Sequence, residues 1–377
     1  ESTVRCCTQN GVRGGNATVH FPIWHPEIED ILVLKNNKGT EDNRVRRMDY
    51  SIQISKLFYE RFMNEGDITL ISPHMAPGLY DAFGTEEFDD LYLKYEADKT
   101  IPKKTVPAQD LFFDLLKERA ETGRIYIMNL DHCNSHSSFK DKVSMSNLCQ
   151  EITLPTTPIQ DIHDEQGEIA LCILSAVNVG GLNDLSELEN ICDLSVRALE
   201  QIIDYQDYPV KAAEVSTKKR RSLGIGYIGL AHYLAKNGVK YSDPKAWELV
   251  DRLSEAFQYH LLRASCDIAM EKGKCEGFER TKYADGLLPI DHYKKDVDEI
   301  VPHKQRMAWE SLRKDIAKHG LRHSTLSAQM PSESSSVVSN ETNGIEPPRA
   351  LLSIKKSKKG PLKQIAPGFP KLKNDYT

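Results

Sequence analysis

The stretch "AQDLFFDLLKERAETGRIYIMN" (residues 108–129) decides the fold class. Residues 108–123 have the apolar spacing of an amphipathic helix and end at a glycine. The "RIYIMN" that follows at 124–129 has the branched and aromatic content of a strand. A helix that passes straight into a strand is the signature of an α/β protein. The pattern recurs downstream. "IALCILSAVNVG" (169–180) holds a short apolar run, "LSELENICDLSVRALEQIIDYQ" (185–206) is helical, and the strand candidate "SLGIGYIG" (222–229) leads into "LAHYLAKNG".

The longest expected helix runs from Pro244 to Lys272, where Val250, Leu253, Phe257, Leu261, Ala264 and Ile268 form one core-facing stripe. "STLSAQMPSESSSVVSN" (324–340) places a strand before a serine-rich turn and a helix start. Upstream, "YSIQISKLFYERFMN" (50–64) carries Ile52, Leu57, Phe58 and Phe62 at mixed helical spacing, so a helix is expected there. No internal repeat occurs, and no linker is long or polar enough to divide the chain.

Bulk properties narrow the function classes. The 377 residues are 40% hydrophobic and 28% charged, a globular composition that buries a substantial core. The net charge of -6 gives no electrostatic reason for a nucleic-acid or anionic-membrane partner. Two basic runs, "KKRR" (218–221) and "KKSKK" (355–359), are expected on solvated faces or loops, the sharper alternative being phosphate attraction near a site. No apolar stretch reaches the roughly 18 to 20 residues of a membrane span, and no signal-peptide pattern opens the chain. The eight cysteines are too sparse and irregular for a disulfide framework, which points to the reducing cytoplasm. A chain that opens on Glu1 and stops at "LKNDYT" reads as a piece of something longer.

Five motifs bear on chemistry. In "SMSNLCQEITLP" (144–155), an extended backbone would turn Asn147, Cys149 and Glu151 to one face, bringing an amide, a thiol and an acid together. On the triplet alone, burial of the cysteine as a small hydrophobe with its polar neighbours solvated is the more ordinary account. "GIGYIG" (224–229) matches a dinucleotide fingerprint literally, but it lacks a clean preceding strand and a well-placed distal acid, so glycines packing a strand against its neighbours are expected. "DHCNSH" offers His132, Cys133 and His136 without a second ligand pair, and no metal is expected. "CCTQNGVRGGNAT" (6–18) is a glycine-rich loop without the ending of a P-loop, in which Arg13 could contact a phosphate or a base. "MPSESSS" (330–336) has the hydroxyls and backbone donors of a helix start that receives an anion, or simply of an N-cap. Cys172, on the expected buried strand 169–180, offers a second thiol.

Taken together, "QNGVRGGNAT", "ILVLKNNKG", "RRMDYSIQI", "TGRIYIMNLDHCN", "SNLCQEITLP", "GEIALCILSAVN", "DYQDYP" and "MPSESSSVVSNETNGIEPPR" resemble the large catalytic subunit of aerobic, class I ribonucleotide reductase, in unbroken order along the chain. The resemblance implies an α/β fold that is part of a ten-stranded barrel with a central finger loop carrying the radical cysteine. Residues 1–377 would be a partial catalytic barrel domain, with 1–50 the specificity-loop region and 124–377 the finger loop and second half of the barrel. The N-terminal regulatory domain and the C-terminal tail would be absent.

It further implies that Cys149 becomes a thiyl radical that abstracts the 3′ hydrogen of a ribonucleoside diphosphate. Glu151 would act as general base on the 3′ hydroxyl, Asn147 would orient the ribose, and Cys172 would be one of two reducing thiols. Ser332, Glu333, Ser334 and Ser335 would line the diphosphate site. Gln9 and Arg13 would lie on the loop that relays the identity of a bound dNTP or ATP effector.

The radical would come from a separate small subunit of the di-iron tyrosyl-radical kind, with no cofactor held in this chain. Thioredoxin or glutaredoxin would serve as reductant, and two large subunits would form a dimer. The second reducing thiol lies upstream of the finger in the family, at a position that Cys6 and Cys7 do not match, so the chain alone is expected not to turn over. Two competing readings are a non-catalytic nucleotide-binding or assembly module derived from the same core, and a nicotinamide dehydrogenase resting on "GIGYIG".

Overall fold

The computed structural model describes residues 1–9, 11, 13–300, 304–357 and 360–376. They fall into two compact units, one of Glu1–Ser137 with Lys142–Pro155 and one of Ser138–Asp141 with Thr156–Thr377.

The first unit is built on a parallel sheet of β1 (Thr18–Pro22), β2 (Asp49–Ile54) and, further along the chain, Ile125–Asn129, with β2 in the centre. Every residue of β2 is buried. This corrects the helix expected over 50–64: its first part is the central strand, and only α1 (Lys56–Met63) is helical. The alternation of "YSIQI" is that of a strand, with Ile52 and Ile54 on one face and Ser51 and Gln53 on the other.

An antiparallel pair, β3 (Asp67–Ile71) and β4 (Lys103–Pro107), precedes α2 (Ala108–Thr122). Gly123 ends α2 at φ 72°, the left-handed conformation that favours glycine at a helix C-terminus. The chain then enters β5 (Ile125–Asn129), so the expected helix-to-strand step stands in the structure. Ile52, Ile54, Phe58, Leu111 and Leu115 join Trp24, Phe83 and Phe88 in one core, with Trp24 edge-on to Phe83 at 5.6 Å.

The second unit centres on two parallel strands, β6 (Ile173–Asn178) and β7 (Leu223–Ile228), connected through α3 (Glu187–Tyr205) and α4 (Lys211–Arg220). "GIGYIG" is therefore the strand itself running into a helix N-terminus, whereas a dinucleotide fingerprint needs the turn after a strand. The long helix α5 (Pro244–Lys272) follows, with proline in its first turn. Leu253, Phe257, Leu261, Ala264 and Ile268 are buried in the core and Val250 packs against it, as the stripe predicts. Among the described residues the strands form small sheets, parallel in the two sets above, which is a mixed α/β architecture. Among those residues, no helix is long and apolar enough to cross a membrane.

"KKRR" departs from its expected solvated face. Arg220 and Arg221 are 2% and 4% exposed. The Arg220 guanidinium donates to Glu168 and Asp141, and Arg221 donates to Glu200 and Asp204. Arginine in the interior needs such carboxylate partners, and here the partners are distant in sequence. In "KKSKK", the backbone of residues 355–357 belongs to a strand, Leu352–Ser357, paired with Gly360–Ile365, while residues 358 and 359 lie outside the described residues.

Candidate active site

Cys149 sits on a loop that closes where Ser146 pairs with Thr153. The segment is a turn, not the extended strand on which the shared-face argument for Asn147, Cys149 and Glu151 depended. Gln150 adopts φ 63°, and this left-handed residue reverses the chain beside the cysteine. Asn147 organises the turn: its carbonyl accepts the Gln150 N–H at 3.3 Å and its side-chain Oδ1 accepts the Ile152 N–H at 3.3 Å. The three residues thus share one folded loop, not one strand face.

Three buried or half-buried polar side chains of the sheet hold this loop. Thr18 donates its hydroxyl to the Leu148 carbonyl at 2.7 Å. The Gln150 amide donates to Ser51 Oγ at 2.5 Å, and the Gln53 amide donates to the Ser144 carbonyl at 2.5 Å. Ser51 and Gln53 are fully buried, and the loop supplies a partner to the Ser51 hydroxyl and to the Gln53 amide N–H, while Gln53 Oε1 has none among the described residues.

In the sheet register, His20, Ser51 and Tyr126 form one row across the three strands. Burial pushes the Tyr126 phenol above its ordinary pKa, and the neighbouring Cys149 thiol, with which it shares a hydrogen bond, adds to that shift. Burial lowers the His20 imidazole, opposed by the Ser146 backbone. Glu151 is half-buried, and its Oε2 has no hydrogen-bond partner among the described residues. A carboxylate oxygen in this condition is poised to accept a proton or a hydrogen bond from a ligand.

Thr18→Val keeps the side-chain shape but leaves the Leu148 carbonyl unpaired. It is expected to lower stability by about 1 kcal/mol, read as a shift in urea midpoint at unchanged slope; an unmoved midpoint would show that the loop does not depend on this bond.

A cleft of about 310 Å³ lies beside the loop, lined by residues that include Asn129, His132, Cys133, Ser146 and Gln150. Burial pushes the Cys133 thiol up to about 11, which keeps it protonated and unreactive. His132 and His136 pack edge to face at 5.6 Å.

The remaining expected site residues fall elsewhere. Cys172 belongs to the second unit, half-buried and one residue before β6, not inside a buried strand. Ser332 precedes the short helix α6 (Glu333–Val338) without capping it by its side chain. Its hydroxyl donates to Asn343 at 3.3 Å, and its carbonyl accepts the hydroxyls of Ser335 at 3.0 Å and Ser336 at 2.8 Å. Glu333 and Ser334 begin the helix and are exposed. The backbone at Gln9 pairs with that at Arg13 in a tight antiparallel turn, and Asn10 and Val12 lie outside the described residues.

Thr18, Ser51, Gln53, Gln150 and Tyr126 were missed by motif reading. The signal for Ser51 and Gln53 was the alternation in "YSIQI", which sets polar groups on one strand face; Thr18, Gln150 and Tyr126 carry no such local signal.

The family model described as the ribonucleotide reductase barrel domain matches residues 1–377. The chain is 58% identical to the ribonucleoside-diphosphate reductase subunit alpha of Buchnera aphidicola subsp. Baizongia pistaciae over 381 residues, covering all of this chain and 50% of that protein. It is 57% identical to the subunit alpha of Haemophilus influenzae and 55% identical to the ribonucleoside-diphosphate reductase 1 subunit alpha of Escherichia coli, with the same coverage. The chain spans about half the length of these relatives. It belongs to the ribonucleotide reductase family, as its barrel domain.

Proposed function

We propose that the chain is the catalytic core of a ribonucleoside-diphosphate reductase, which converts ribonucleoside diphosphates to 2′-deoxyribonucleoside diphosphates by thiyl-radical chemistry. The observation that carries this reading is Cys149 on a clamped turn that also carries Glu151, whose buried Oε2 has no hydrogen-bond partner among the described residues, in a chain of this family.

Cys149 as a thiyl radical takes the hydrogen atom from C3′, and Glu151 accepts the 3′ hydroxyl proton. The 2′ hydroxyl leaves as water with a proton from a reducing thiol. Cys172 and a second thiol supply the two electrons and end as a disulfide, and return of the hydrogen atom to C3′ regenerates the thiyl radical. Asn147, whose Oδ1 is committed to the turn, has its amide N–H groups to offer the ribose hydroxyls. Ser332, Glu333, Ser334 and Ser335 hold the diphosphate, and Gln9 and Arg13 carry the effector signal.

In this reading the parallel sets β1–β2–β5 and β6–β7 are parts of a ten-stranded barrel, and residues 144–153 are its finger. The radical comes from a small subunit of the di-iron tyrosyl-radical kind. Thioredoxin or glutaredoxin restores the thiols, dNTP and ATP are effectors, two large subunits pair, and the enzyme works in the cytoplasm.

The test is deoxynucleotide formation by the complete polypeptide with its small subunit and a dithiol reductant. Product formation supports the reading. Ribonucleotide binding with no product under any reconstitution would make the chain a non-catalytic nucleotide-binding module.

A further inference from the structure

We infer that Gly224 and Gly226 are positioning residues, two bare places on one face of β7 that seat the Cys172 thiol and the segment leading to Ser332. This rests on the roles proposed above for Cys172 and for Ser332–Ser335.

The two glycines are two residues apart in a strand and so face the same way. Leu174 lies opposite Gly224 and Ala176 opposite Gly226, with Cys172 two residues before Leu174. A Cβ at Gly224 would stand 2.6 Å from Cys172 Sγ, 2.7 Å from Leu174 Cδ2 and 3.1 Å from Ala328 Cβ. A Cβ at Gly226 would stand 2.3 Å from the Ala328 carbonyl oxygen and 2.9 Å from Gln329 Oε1. Neither glycine is among those with positive φ, so conformational freedom does not explain them. Close approach does.

The segment that meets these glycines runs alongside β7, with Ser327 paired in parallel to Ile225, and is bonded to it throughout. Leu223 N–H donates to the Thr325 carbonyl at 3.0 Å, Ile225 N–H to the Leu326 carbonyl at 2.8 Å, and Ala328 N–H to the Ile225 carbonyl at 3.2 Å. Gln329 then clamps Tyr227 from both sides: its Oε1 accepts the Tyr227 N–H at 3.3 Å and its Nε2 donates to the Tyr227 carbonyl at 2.9 Å. Three residues further on is Ser332. One strand therefore sets two positions at once: Ala328 meets both glycines, but the nearest obstacle is Cys172 Sγ at Gly224 and the Ala328 carbonyl at Gly226. At Gly224 the two nearest obstacles are the side-chain ends of Cys172 and Leu174, which can rotate, so a methyl group there moves the thiol first. At Gly226 the nearest obstacle is a backbone carbonyl, so a methyl group there moves the chain before Ser332.

The consequence is a split that general loosening of the strand would not produce. In the complete polypeptide, Gly224→Ala is expected to change the alkylation rate of Cys172, followed on its own peptide by mass spectrometry, by about three- to tenfold, the factor that corresponds to an off-rotamer side chain. Ribonucleoside diphosphate affinity should change by less than about twofold. Gly226→Ala is expected to do the reverse, weakening nucleotide binding by about tenfold with little effect on Cys172. Gln329→Ala, which removes the clamp without adding bulk, should weaken nucleotide binding as well and serves if Gly226→Ala does not fold.

A thermal-melting cycle checks the contact itself. Cys172→Ala removes the atom that the new methyl group meets, so it should cost less stability in the Gly224→Ala background than in the wild type. Equal effects of both glycine variants on both readouts, unchanged readouts, or strictly additive melting shifts would each overturn the inference. Failure of the wild-type polypeptide to bind a ribonucleoside diphosphate would instead remove the proposed function, while the alkylation and melting results at Gly224 would still stand or fall by themselves.

Discussion

The complete polypeptide carrying Cys149→Ser is expected to bind ribonucleoside diphosphate within about twofold of wild type and to lose turnover by a factor on the order of 10⁴ or more, because only binding contributions survive removal of the reacting atom. A serine O–H bond is too strong to exchange reversibly with a sugar C–H bond, whereas a thiol S–H bond is weak enough. The loop should keep its shape, since Thr18, Gln53, Asn147 and Gln150 hold it through groups other than the Cys149 sulfur. A serine hydroxyl can also share the hydrogen bond with Tyr126. Steady-state rates and equilibrium binding, measured on the same preparation, separate the two effects. Residual turnover above about 1% of wild type, a loss of under 3 kcal/mol in transition-state stabilisation, would move the radical away from Cys149.

Glu200→Ala is expected to cost about 3 to 5 kcal/mol of stability, the range for removing one partner of a buried ion pair. Glu200 is 1% exposed. It accepts from Arg221 at 2.8 Å, Arg322 at 2.8 Å and His323 at 3.0 Å, so its loss leaves the buried Arg221 with Asp204 as its carboxylate partner and takes the carboxylate from Arg322 and His323.

The same network predicts an acid limb. Burial alone would raise the Glu200 carboxyl, but the hydrogen bonds from His323, Arg221 and Arg322 outweigh it and hold the group at about 2. A depressed carboxylate stabilises the fold above its unfolded pKa, near 4.5, and that stability is lost as pH falls from there towards 2. The amount at neutral pH is about 3 kcal/mol on the scale of 1.36 kcal/mol per pKa unit. Burial lowers the His323 imidazole, opposed by Glu200, so the folded state favours its neutral form and begins to lose stability as pH falls below 6.5. Urea midpoints of wild type and Glu200→Gln against pH should converge below about pH 4. A constant gap down to pH 3 would show that Glu200 does not titrate as this geometry requires.

The glycine-ended helix 108–122 and the strand after it were legible because their signals are local: an apolar spacing, a cap and a run of branched residues. The stripe on Pro244–Lys272 was legible for the same reason. "KKRR" was not, because the partners that bury Arg220 and Arg221 are fixed by the fold: Asp141 is 79 residues from Arg220, and Glu200 is 21 residues from Arg221.

The central strand is the most instructive case. Ser51 and Gln53 are buried on it, and the groups that bond them, Gln150 and the Ser144 carbonyl, lie on the loop after residue 143, which no window around them contains. By itself, then, the sequence determined the α/β class, the long helices and the family, with Cys149, Glu151, Asn147 and Cys172 as the residues to watch, since residue types and their spacing are local quantities. Only the tertiary structure decided that Cys149 rides a turn pinned to a polar sheet face, that two arginines lie in the interior, and which neighbours the strand glycines, expected from the sequence to pack closely, make room for. Hydrogen-bond satisfaction and steric clearance depend on groups brought together across the chain, and these leave no periodicity to read.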